Sequence, residues 1–322
     1  MKSFIKRCLL FFGVFVLLNA ALEYVYSLKT KNAIEQGIHK NQLKWSDIHQ
    51  NKNDYDIIIL GSSRAYTSYN PNILDSILEM KSYNMGTSAQ DIAESYYMLE
   101  EILEYQNPKY VVLDLFFPSA DESHEYYQIL SNASFFKDAK IKFDLIAKGY
   151  GSSGPINYLV PVMKLKNYIK QDLSSLIGSH QNTKIENHWI KGFLYDTITM
   201  TKQQVRNLTP ISNFQNTTFS KDRFDDYMGK IIKLLNEHHI HLITVRSPYP
   251  PSRLALSSNM DEHDFFESYT SKLDIPFFDY NTNKEKINEI YLDTDFSDYH
   301  HPNYRGAKKA SITLAKFIEQ NR

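Results

Sequence analysis

Asp56-Ile57-Ile58-Ile59-Leu60-Gly61-Ser62-Ser63-Arg64 is an apolar run that stops abruptly in a Gly-Ser-Ser turn. A continuous apolar stretch this short marks a strand covered on both faces, as in a parallel sheet. A strand buried on two sides needs helices above and below it, so this stretch decides the fold class. Working outward, residues 71–80 are expected as a helix with Asn70 as N-cap and Pro71 at its first position. Residues 82–84 suit a second strand, ended by Met85-Gly86. Residues 91–105 place Ile92, Tyr96, Leu99, Ile102 and Leu103 at helical spacing, and 110–117 form another buried strand.

The alternation breaks over residues 119–218, which are rich in Ser, Asn, Lys and Tyr. This segment reads as an insertion, a mainly helical cap with helices near 135–147 and 156–177. Regular structure resumes with an amphipathic helix over 220–239 and a strand at 241–245. A helix over 262–273, a short strand at 276–279 and a closing helix over 306–320 complete the chain. Five strands separated by helices imply an α/β fold: a flavodoxin-like, three-layer parallel sheet.

Composition sets the outer limits. The chain has 322 residues, 42% apolar and 23% charged, enough for one α/β domain with insertions or two small domains. A net charge of −1 argues against nucleic acid as a partner. Cys8 is the one cysteine, so no intramolecular disulfide can form. Lys2, Lys6 and Arg7 precede an apolar run over 8–22 broken only by Asn19, with Tyr24 and Tyr26 after it. That pattern predicts a membrane helix over 1–27 with a cytoplasmic N-terminus. Retention as an anchor and cleavage near Asn19-Ala20-Ala21 both stay open, and either exports the rest of the chain. Residues 28–53 read as a helical stalk or linker, and 54–322 as the α/β domain interrupted by the insertion.

The chemistry sits in two distant segments. Gly61 permits a sharp turn at the carboxyl end of a strand, and Ser63 follows with its hydroxyl free to act as a nucleophile. Near the C-terminus runs Asp298-Tyr299-His300-His301-Pro302-Asn303-Tyr304-Arg305-Gly306. An Asp three residues before a His supplies an orienting carboxylate and a base on one tight loop. The bland alternatives are a Ser-capped turn at one end, and at the other a helix capped by Asp298 or Asn303. No metal-ligand pattern and no cofactor is expected.

These blocks resemble the SGNH (GDSL-type) hydrolase superfamily, in particular its membrane-anchored branch similar to the DltD and AlgJ/AlgX proteins of cell-envelope acylation. The resemblance covers residues 54–118 and 220–322. It implies that Ser63, in Gly61-Ser62-Ser63, is the nucleophile, with Asp298 and His301 as its partners. His301 is preferred to His300 because it has both the spacing from Asp298 and the Pro-Asn after it. The Ser63 and Gly86 backbone N–H groups would form the oxyanion hole, with Asn84 standing in for an absent Gly-x-Asn-Asp block, since the matching strand ends Leu113-Asp114-Leu115-Phe116. Arg64, next to the nucleophile, reads either as a cation that holds an anionic group of the substrate or as a solvated or fold-pairing arginine. The function implied is serine-dependent O-acyl (acetyl) transfer or ester hydrolysis on a cell-envelope polysaccharide, on the extracytoplasmic side. The implied partner is a multi-span membrane O-acyltransferase. A lipase-like esterase and a non-catalytic glycan-binding protein of the same fold are the alternatives.

Overall fold

The computed structural model describes residues 2–33, 39–116, 132–149, 188–211, 219–257, 261–282 and 290–322. The expected helix over 156–177 lies outside them. The elements in order are α1 (Lys2–Ala33), α2 (His39–Gln50), β1 (Ile57–Leu60), α3 (Ser63–Ser68), α4 (Pro71–Leu78), β2 (Ser82–Asn84), α5 (Ile92–Leu103) and β3 (Tyr110–Asp114). Then follow α6 (Ala139–Gly149), β4 (Trp189–Ile190), β5 (Phe193–Leu194), α7 (Lys202–Arg206), α8 (Lys221–Glu237) and β6 (His241–Arg246). The chain ends with α9 (Pro251–Leu256), α10 (Asp261–Ser271), β7 (Phe277–Asp279) and α11 (Tyr304–Gln320).

Five strands form one sheet in the order β2-β1-β3-β6-β7, every neighbouring pair parallel. This is the doubly wound, flavodoxin-like order. The period-2 geometry of β1 splits its apolar side chains between the two faces. Ile58 and Leu60 join Val111, Leu113 and residues of α5, α8 and α10 in one core. Ile57 and Ile59 join Val112, Ile243, Val245 and residues of α4 and α11 in the other. All four β1 side chains are fully buried, each worth about 1.5–3 kcal/mol relative to exposure.

Asn70 caps α4 by accepting from Asn72 N–H at 3.0 Å, with Pro71 next, as the sequence predicts. That helix stops at Leu78 because Glu79 turns into the left-handed region, φ 54°. Asn303 caps α11.

One expectation about organisation changes. Residues 39–50 are not a stalk: α2 buries Trp45 and Ile48 in the first core, so the packed domain starts ahead of residue 54. The described part of the insertion packs into the domain and includes a hairpin beside its helix. Ala133, Phe136, Leu145 and Ile146 complete the core beside α5. The β4–β5 hairpin, absent from the sequence reading, folds against the free edge of β2, where Asn84 N–H donates to the Lys191 carbonyl at 3.0 Å. Its turn needs Gly192, φ 79°, because a Cβ there would lie 1.9 Å from the Asn84 carbonyl oxygen. The Asn84–Lys191 bond gives one backbone donor of the edge strand a partner.

Within α1, residues 3–24 are long and apolar enough to cross a bilayer, with mean hydropathy 1.9, and none of the span is buried against the domain.

Candidate active site

Gly61 ends β1 at φ 142°, a conformation that favours glycine, and a Cβ there would meet the Asp114 Cβ at 2.8 Å. The sharp exit lets Ser62 cap α3 by accepting from Arg64 N–H at 3.3 Å. Ser63 becomes the first residue of that helix and stays half-buried. Its N–H belongs to the orphan donors of the first turn and meets no acceptor among the described residues.

At the other end, Phe296 and Pro302 pair antiparallel and close a tight loop between them. Ser297 N–H donates to the His301 carbonyl at 2.9 Å across its base. Inside the loop, Asp298 Oδ1 accepts from the N–H groups of His300 and His301 at 2.7 and 2.9 Å. This Asx-type turn fixes the carboxylate before any contact with imidazole is made.

The two segments meet. His301 Nδ1 lies 2.8 Å from Asp298 Oδ2 and 3.0 Å from Oδ1, and His301 Nε2 lies 2.8 Å from Ser63 Oγ. An ionised carboxylate only accepts, so the ring proton sits on Nδ1 and Nε2 is free to take the hydroxyl hydrogen. Burial works to raise the Asp298 pKa, but the His301 hydrogen bond and charge and the two backbone donors prevail, holding it at about 2.

The other expected site residues fall elsewhere. Gly86 does not offer a free N–H, because it donates to Asn84 Oδ1 at 3.0 Å. Asn84 is no oxyanion donor either: its amide nitrogen donates to the carbonyls of Ala65 and Tyr69, both at 2.9 Å. The side chain is fully buried, and a buried amide must satisfy its polar atoms locally. It therefore staples α3 to the end of β2. Of the three expected oxyanion donors, Ser63 N–H alone remains unengaged.

Arg64 does not reach toward a substrate; it is 2% exposed. Its guanidinium stacks 3.6 Å from the Tyr249 ring centroid and donates to the Ser247 carbonyl and, at 3.1 Å, to Ser247 Oγ. Ser247 in turn donates from N and Oγ to Asp114 at 2.9 and 2.7 Å. The network ties the β1 exit to the carboxyl ends of β3 and β6.

Burial pushes the Asp114 carboxyl up to about 6, against the pull of Arg64 and the two Ser247 donors. The folded protein then binds this proton more tightly than the unfolded chain, where Asp titrates at about 3.9. The resulting stability is present below about pH 4 and is lost as pH rises to about 6. Urea midpoints measured across that window are expected to carry this downward slope in the wild type and to lose it in Asp114→Asn. The same slope in both proteins would rule the assignment out.

Some neighbours of the site carry no signal in the sequence. Lys44 of α2 is buried, donates from Nζ to the Gly86 carbonyl and sits 5.2 and 5.3 Å from the ring centroids of Tyr66 and Trp189. Burial, then nearby Lys40, pulls its pKa well below the usual lysine range. Arg253 of α9 bonds His300, the histidine next to the triad. Beside Asp298 and Tyr299 opens a cleft of about 300 Å³, walled by Met200 and Leu208 and by the polar Gln204, Asn207 and Thr209.

A protein-family model matches residues 196–322, the part that carries the Asp298–His301 loop. No curated protein matches the chain. Among solved structures, the chain is similar to a GDSL-like lipase from Bacteroides thetaiotaomicron at 10% identity, covering 84% of this chain and 90% of that one, with a TM-score of 0.40. It is also similar to LAE5, an alpha/beta hydrolase enzyme from the metagenome of Lake Arreo, Spain. There the identity is 9%, the coverage 83% of this chain and 96% of that one, and the TM-score 0.43.

Proposed function

We propose that the protein is a serine-dependent acyltransferase or esterase of the SGNH type. The observation that carries this is the continuous hydrogen-bonded chain from Asp298 through His301 to Ser63 Oγ. Ser63 Oγ attacks an acyl carbonyl carbon while His301 Nε2 takes its proton, and the Ser63 N–H stabilises the tetrahedral oxyanion. His301 then returns the proton to the departing oxygen, leaving the acyl group on Ser63. An incoming hydroxyl reverses these steps: it loses its proton to His301, attacks the ester and carries the acyl group away.

The finer reading is O-acetyl transfer to a cell-envelope polysaccharide, by a domain held on the extracytoplasmic side through α1 and supplied by a multi-span membrane O-acyltransferase. It is supported by the apolar, unburied span over residues 3–24 of α1 and by the resemblance in the two sequence blocks. The lone free oxyanion donor slows transfer and hydrolysis alike, since each such donor is worth about 100- to 1000-fold in rate. The same feature favours the second reading, a glycan-binding protein that retains the fold.

A fluorophosphonate probe separates them. One equivalent is expected to attach to Ser63, read by intact mass and peptide mapping. Acetyl-ester turnover is expected to rise when oligosaccharide is added as acceptor. A folded protein that stays unlabelled supports the binding reading and sinks the enzymatic one.

A further inference from the structure

His300 is left over by the triad, yet its chemistry is unusually constrained. Arg253 Nη1 donates to His300 Nδ1 at 2.9 Å and to the Tyr299 carbonyl at 2.8 Å, while Arg253 Nε donates to the Thr209 carbonyl at 3.2 Å. A guanidinium has only donors and keeps its charge throughout the accessible pH range. Nδ1 of His300 must therefore be bare, and the neutral ring carries its proton on Nε2. That N–H finds no acceptor among the described residues, and the ring is half-buried. The groups facing the ring are Arg253 of α9, Arg64 of α3, Tyr249 of the β6–α9 connection, and Tyr299, His301 and Asp298 of its own loop. Burial and then the two guanidinium groups lower its pKa to about 3, so the ring stays neutral.

The general acid shows which part of a substrate it would meet: His301 returns its proton to the departing alcohol oxygen, and the His300 ring centroid lies 5.9 Å from that of His301. Ser63 follows β1; the Gly86 loop follows β2 on one side, and Arg253 follows β6 on the other. His300 is bonded to Arg253, so it stands across Ser63 from the Gly86 loop. That is also the side of the cleft, whose wall includes Thr209 and Tyr299, both bonded to Arg253.

We propose that His300 is a substrate-binding residue whose Nε2–H donates to an oxygen on the alcohol portion of the ester, and that Arg253 is the positioning residue that fixes this tautomer. The ligand class is a polyhydroxylated alcohol, entering from the cleft with the 52% exposed Tyr299 ring at its lip. The inference rests on the acyl-transfer reading above.

Two measurements test it. Imidazole ¹⁵N resonances of the full-length wild type are expected to show His300 as the Nε2–H tautomer, unchanged between pH 8 and pH 5, and Arg253→Met is expected to make it titrate. A wild-type His300 that carries its proton on Nδ1, or that titrates in that range, overturns the proposal. The second readout is the ratio of kcat/KM for a mono-O-acetylated hexose to that for p-nitrophenyl acetate. It is expected to fall about tenfold in His300→Phe, the worth of one neutral hydrogen bond. It should recover to within about threefold in His300→Gln, whose amide replaces the Nε2 donor. An unchanged ratio, or equal losses on both esters, discards the role of His300 while leaving the Ser63 chemistry standing. Failure of the wild type to label at Ser63 removes both.

Discussion

Ser63→Ala is expected to abolish fluorophosphonate labelling and to lower kcat/KM for any ester at least about 10⁴-fold, the scale on which a triad nucleophile acts. The fold has no reason to follow. Ser62, not Ser63, supplies the side-chain cap of α3, and Asn84 and the Arg64–Ser247–Asp114 network hold that helix from behind. The substitution removes one half-buried hydroxyl bonded to His301, and a single such bond contributes about 0.5–1.5 kcal/mol. Activity should therefore disappear while the thermal midpoint moves by a few degrees at most. Turnover within tenfold of wild type in the Ser63→Ala protein would refute the nucleophile outright.

Asp298→Asn is expected to cost about 10⁴-fold in kcat with the loop intact. The Asn carbonyl oxygen can still accept from the N–H groups of His300 and His301, as Asp298 Oδ1 does. Its NH₂ group then faces His301 Nδ1, where a carboxylate oxygen stood at 2.8 Å. Two donors cannot share that contact, so the ring proton moves to Nε2, the atom that must be bare to deprotonate Ser63. Pre-steady-state labelling is the direct readout, because acylation is the step that needs the base. Circular dichroism checks that the loss is not unfolding. A variant that acylates at more than a tenth of the wild-type rate would show that Asp298 does not orient the base.

What was legible in the sequence is what local chemistry determines. The β1 run, the glycine at its exit and the Asn70 and Asn303 caps each depend on residues within a few positions of one another. The Asp298–His301 pair is likewise local, three residues apart on a loop that its own backbone closes. Other features depend on partners far along the chain. Arg64 reads equally as a substrate-holding cation or a fold-pairing one, and only its partner 183 positions on decides for the second. Asn84 reads as a spare amide, but α3 folds back over it and consumes both donors. Lys44 lies in a polar stretch that looks like a spacer, and its partner is 42 residues away. His300 looks like the lesser of two adjacent histidines until Arg253, 47 positions earlier, fixes its proton.

With α1 in a bilayer, as proposed, the small number of residues between α1 and α2 would set how this site encounters its substrate. Ala33 ends one helix and His39 begins the next, a span of at most about 20 Å even at full stretch. The domain would then be kept on a short leash above the lipid, and its search would become two-dimensional. Substrates confined to that layer are met at high effective concentration, whereas freely diffusing ones gain nothing.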